Sequence, residues 1–186
     1  MLLFIYDYLG WKTADFSDFL FSYDKLIIFH IYKYVIIDTE IVITTLTDSG
    51  SMERYVLLDH TADLMVRAYG DTLEECFGNA AFSLFDQTVD LSNVGTSDSI
   101  TVKVDGMDDE DRLFSFLAEM LYIEDAENLV LKEFDVRFEG DSVVCDARGE
   151  RLDRSKHRLK SEIKAVTLHM MEVNRDEPSV TVIFDT

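Results

Sequence analysis

From residue 55 onward, apolar positions fall either into alternating runs or into runs spaced by three and four. Tyr55–Leu58 and Leu64–Tyr69 read as short strands on either side of a DHTAD turn. Asp71 or Thr72 then caps a helix, because Glu75 follows Thr72 at the three-residue spacing of a capping box. Leu73, Cys76, Phe77, Ala80, Ala81, Leu84 and Phe85 make one apolar face of that helix. Cys76 on this face reads as a small core residue rather than a reactive thiol.

Residues 99–104 alternate as a further strand. Asp108, Asp109, Glu110 and Asp111 then crowd the start of a second helix, where the macrodipole favours negative charge. This cluster lacks the spacing and the glycine of a calcium loop. Leu113, Phe116, Leu117, Met120 and Leu121 form the buried face of the second helix. The rest is β-rich: residues 134–138 and 142–148 flank a Gly140-Asp141 hairpin turn, and strands are expected over 162–173 and Ser179–Asp185. Two helices among mainly antiparallel strands predict an α+β, two-layer domain with both amphipathic helices packed on the sheet.

Residues 1–51 are different in kind. They hold 11 of the 22 aromatic residues, and their only basic residues are Lys12, Lys25 and Lys33. IYKYVIIDTEIVITTLT has strong strand propensity, so a short β-rich extension is one reading. The other is an over-extended start, with Met52 as the true one, and the unpatterned aromatics favour it. The expected division is therefore 1–51 as an atypical extension and 52–186 as the functional domain.

The chain of 186 residues carries 37 acidic against 17 basic residues, a net charge of -20. Such a surface repels phosphate backbones, so direct nucleic-acid binding is not expected; the charge favours a basic protein partner or a divalent cation, or equally serves to keep the protein in solution. Cys76 and Cys145 form no CxxC pair, which removes a zinc ribbon or disulfide framework and points to a reducing, cytoplasmic setting. The longest apolar run, LIIFHIYKYVII, is too short and too interrupted to span a membrane. There is no GxGxxG, Walker loop or GxSxG.

Candidate chemistry gathers at two places far apart in sequence. Asp59, His60 and Asp63 lie in the DHTAD turn, and Asp185 and Thr186 end the VTVIFDT strand. Their oxygens are hard donors suited to calcium, magnesium or manganese, and they make a site only if the fold joins the two segments. Otherwise Asp63 caps a turn and Asp185 lies in solvent. His60 reads as shaping the turn, since no nucleophile accompanies it. His157 sits in a basic loop with Arg154, Lys156, Arg158 and Lys160, read as solvated, with contact to RNA or a partner as the other reading. His169 is expected to be half-buried in a strand, and Lys164 to reach a carboxylate such as Asp63 or Asp185 from an apolar strand.

The segments DHTADLMVRAYGDTLEECFGNAA, DDEDRLFSFLAEMLY, RSKHRLKSEIKAVTLH and VTVIFDT, in that order, resemble the archease family over about residues 54–186. Tyr69 stands where tryptophan is common, and SKHRLK replaces the usual SKHP-type loop. The resemblance implies a non-enzymatic accessory of the GTP- and metal-dependent tRNA-splicing RNA ligase, promoting its guanylylation and multiple turnover. It also implies a metal site at Asp63, Asp185 and Thr186, with Lys164 needed for activation. A broader chaperone-like modulator of RNA-modifying enzymes is one alternative. A metal-dependent hydrolase using Asp59, His60 and Asp63 is another.

Overall fold

A computed structural model describes residues 53–59 and 63–186, together with the backbone of two short strands, β1 (Ile36–Ile37) and β2 (Glu40–Ile41). The chain divides into two compact units, Met1–Ser49 and Gly50–Thr186. In the first, β1 and β2 pair antiparallel within the stretch of high strand propensity. The other expectations for residues 1–51, Met52 and His60 lie outside the described residues.

The second unit runs β3 (Tyr55–Leu58), β4 (Leu64–Tyr69), α1 (Leu73–Thr88), β5 (Asp98–Asp105), α2 (Asp109–Glu127), β6 (Leu129–Glu139), β7 (Ser142–Arg151), β8 (Ala165–Asn174) and β9 (Ser179–Asp185). All pairings are antiparallel, and the architecture is α+β as expected. The strands divide into two sheets rather than one, in the orders β3-β4-β9-β8 and β5-β7-β6. Helix α1 packs on β6 and β4, and α2 on β8 and β5, so each helix bridges both sheets. Among the described residues, no helix is long and apolar enough to cross a membrane.

Both helices start with reciprocal caps. Thr72 Oγ1 accepts from the Glu75 N–H at 3.2 Å, while the Glu75 carboxylate accepts from the Asp71 N–H at 2.8 Å. In α2, Asp108 accepts from the Asp111 N–H at 2.8 Å, and the Asp111 carboxylate reaches back to the Met107 N–H at 2.9 Å. The acidic cluster thus satisfies backbone donors that would otherwise be orphaned at the helix start. Asp109 is further held by Arg112 and Arg175. Helix α2 ends on Asn128, whose φ of 53° is left-handed.

The predicted apolar faces meet in the core. Phe77 stacks on Phe116 at 6.1 Å and meets Phe138 edge-on at 5.1 Å, tying both helices to the three-stranded sheet. Cys76 and Cys145 are buried and free, and burial pushes their thiols up to about 11 and about 12. Gly140 occupies the first position of the β6–β7 turn with φ 63°, the glycine-first geometry that lets a two-residue hairpin follow strand twist.

Strand β8 departs from a regular ladder. Thr167 pairs with Ile183, but the next pair is Glu172 with Thr181, an excess of three residues on β8. Met170, within this bulge, has φ 54°, a conformation that costs a non-glycine residue about 1–2 kcal/mol.

At Gly149 in β7 the neighbouring backbone comes unusually close: a Cβ there would lie 1.9 Å from the Val130 carbonyl oxygen. Gly149→Ala must therefore push β6 away from β7, and a loss of about 1–3 kcal/mol is expected in urea unfolding of the full chain.

Candidate functional site

Strand β9 lies between β4 and β8, and Val180, Thr181, Val182, Ile183 and Phe184 are all buried. Burial on both faces explains the unbroken apolar run with a single threonine. Asp185 follows at once and is exposed, so the strand delivers a carboxylate to the rim of the sheet. On β4, Leu64 pairs with Phe184, and partly exposed Asp63 stands immediately before it. Continuing that register sets Asp63 beside Asp185 on strands about 4.8 Å apart.

The start of β8 closes the other side of this corner. Ala165 pairs with Asp185, and the Lys164 N–H donates to the Asp185 carbonyl oxygen at 2.8 Å. Lys164 precedes β8 rather than lying within it, which corrects the expected strand start at 162. Ile163 is buried while Glu162 and Lys164 are exposed, so the local alternation anchors the segment by its isoleucine and turns the lysine to solvent. Lys164 meets Asp185 through the main chain.

The fold therefore brings Asp63, Lys164, Asp185 and Thr186 to one end of one sheet. Asp59, at the end of β3, is exposed, and Thr186 is exposed beside Asp185. Among the described residues, no three His, Cys, Asp or Glu side chains converge as a metal cage. Two carboxylates and a main-chain oxygen are instead an open, hard-donor set, the type that holds magnesium or calcium with water or phosphate completing the shell. The donors present fit such an ion.

His157 has a different role from the one expected of a solvated loop. It is only 4% exposed. Its Nδ1 accepts from the Asp153 N–H at 3.0 Å, so Nε2 carries the proton and donates to Glu150 Oε1 at 3.0 Å. The same carboxylate oxygen accepts from Lys156 Nζ and from the Gly95 N–H, both at 2.5 Å. Lys160 meanwhile binds Asp86 at 3.1 Å, and its N–H donates to the Thr88 carbonyl oxygen. The imidazole and two of the basic side chains thus fasten residues 153–161 to β7 and to the end of α1. Loop charges spent this way hold the lead-in to Ile163 and Lys164 in place.

The model of the Archease protein family (MTH1598/TM1083) matches residues 55–186. The chain belongs to the archease family. Protein archease of Pyrococcus abyssi is 41% identical over 128 residues, covering 67% of this chain and 90% of that protein. Protein archease of Thermococcus gammatolerans is 42% identical over the same length and shares. The solution structure of Methanobacterium thermoautotrophicum Protein 1598 is similar with a TM-score of 0.63 and 31% identity, covering 73% of this chain and all of that one.

The archease match starts at the first residue of β3 and includes the whole corner. Sequence reasoning missed the irregular part of β8 within the archease domain. Residues 162–173 read as one continuous strand, yet Leu168, His169 and Met170 are exposed, so His169 is not half-buried as expected. The bulge inserts three residues and ends the alternation on which that reading relied.

The Glu150 carboxyl is pulled down to about 2, first by Lys156, then by the Gly95 N–H, with His157 contributing. A carboxyl lowered on folding adds stability above its unfolded value near 4.5 and loses that stability as pH falls toward 2. Glu150→Gln should lower the urea midpoint at pH 7, and its difference from the parent should shrink between pH 4.5 and 2.

Proposed function

We propose that this archease-family protein is a non-enzymatic activator of the GTP- and metal-dependent tRNA-splicing RNA ligase, promoting guanylylation of the ligase and its repeated turnover. The observation that carries the reading is the register that sets Asp63 and Asp185 at one rim, with Ala165 opposite Asp185. Family membership supports the same role, and so does the net charge of -20, which suits a partner whose own surface is basic enough to hold RNA. The cytoplasm is the compartment in which this partnership is proposed.

In this reading Asp63, Asp185 and a main-chain oxygen of Thr186 hold a calcium, magnesium or manganese ion in common with the partner. Such an ion supplies charge neutralisation at the triphosphate during nucleotidyl transfer. The rim contributes position. Buried β9 fixes Asp185 from behind, and the hydrogen bond from Lys164 fixes its main chain from the side. The exposed ammonium of Lys164 stands at the same rim, where it offers a positive charge to a phosphate oxygen or to a partner carboxylate.

The test is single-turnover guanylylation of the purified ligase with and without the full-length protein. Asp63→Asn and Lys164→Ala are each expected to reduce the stimulated rate at least about tenfold, as loss of a charged positioning group does. Full stimulation by Asp63→Asn would overturn the assignment.

A further inference from the structure

We propose that the bulge in β8 is the apolar anchor that seats this protein on the basic, RNA-binding mouth of its partner enzyme. The inference rests on the activator reading and adds to it the surface that makes the contact.

Leu168 is 56% exposed and Met170 50%, with exposed His169 between them. Burying such side chains would be favourable, yet the strand turns them outward by accommodating three extra residues and a left-handed methionine. Strain of this kind persists where the surrounding ladder holds it, and it gathers at ligand clamps and switch segments. Here the ladder is firm on both sides: Ala165, Val166 and Thr167 pair with β9 before the bulge, and Glu172, Val173 and Asn174 after it. Buried Val166 and Met171 pin the same strand to the core.

Position selects the occupant. The anchor begins three residues after Ala165, the partner of Asp185, so one docked surface covers both the bulge and the carboxylate corner. Exposed Glu162, Lys164 and Glu172 flank the apolar residues along β8 and its lead-in, with Asp185 at the adjacent end of β9 and Glu172 paired with Arg67 at 3.7 Å, giving the apolar centre and charged rim of a protein interface. A chain of net charge -20, whose rim here carries three carboxylates, is complementary to an enzyme cleft built to hold a polyanion. Pairing with a second copy along this edge is disfavoured, because β8 is an outer strand whose bulge breaks the row of ladder groups that strand addition needs.

The experiment measures binding of the full-length protein to the purified ligase, together with ligase guanylylation over a range of protein concentration. Leu168→Glu with Met170→Glu is expected to raise the Kd at least about thirtyfold, as loss of central anchors does. Leu168→Ala with Met170→Gly, which removes the left-handed strain and guards against misfolding, should raise it about tenfold with no fall in Tm. In both variants the half-saturating concentration should rise while maximal stimulation is kept. Asp63→Asn should instead lower the maximum. An unchanged Kd for the Leu168→Ala, Met170→Gly variant overturns the anchor and leaves the activator reading intact. Self-association that these variants abolish, with ligase binding intact, also overturns it. Failure of the parent protein to bind or stimulate the ligase overturns the activator reading itself.

Discussion

The structure depends on the pairing of residues 64–69 with residues 179–184. Strand β9 is buried on both faces, and its two neighbours, β4 and β8, are attached to it rather than to each other. Without β9 the four-stranded sheet falls into a hairpin and a single strand, and the apolar faces of α1 and α2 lose one of the surfaces they cover. The same pairing delivers Asp185 to Asp63. Stability and the candidate chemistry therefore have a common cause: an apolar strand cannot stop in the core, so its one charged residue emerges at the rim.

That arrangement gives a rigid corner on an otherwise acidic surface. Lys164 is placed by Ile163 behind it and by the loop 153–161 before it, and that loop is held by Glu150, His157 and Lys160. Of the charges that resemble a nucleic-acid patch in the linear chain, Lys156 and Lys160 are occupied in fastening one loop. Arg112 and Arg175 are similarly occupied with Asp109. Among the described residues, Lys156, Lys160, Arg112 and Arg175 thus serve as fasteners.

Much of the fold was legible in the chain because its signals are local. Helix faces at three- and four-residue spacing, the cap read at Asp71 or Thr72 and found at Thr72, the acidic start of the second helix, and the Gly140-Asp141 turn are each local in this sense. The candidate corner was legible as two carboxylate segments, but their meeting was not, since register between distant strands has no local signature. The division into two sheets is non-local in the same way. His157 and His169 exchanged their expected environments for the same reason. A carboxylate seven residues before His157 in the chain makes its burial affordable, while a three-residue bulge turns His169 outward. Residues 168–170 carry no glycine, asparagine or proline to mark an irregular strand. Nothing in their pattern therefore distinguished them from regular alternation.

Placing β9, the latest of the four strands in chain order, between β4 and β8 also has a temporal consequence. Chains leave the ribosome from the amino end, so β3, β4, both helices and the three-stranded sheet can be assembled while the slot for β9 is still empty. Until Ser179–Asp185 has emerged, the nascent molecule has exposed ladder groups on two strands and no Asp185 beside Asp63. Completion of the four-stranded sheet and assembly of the candidate corner are consequently a single, late event.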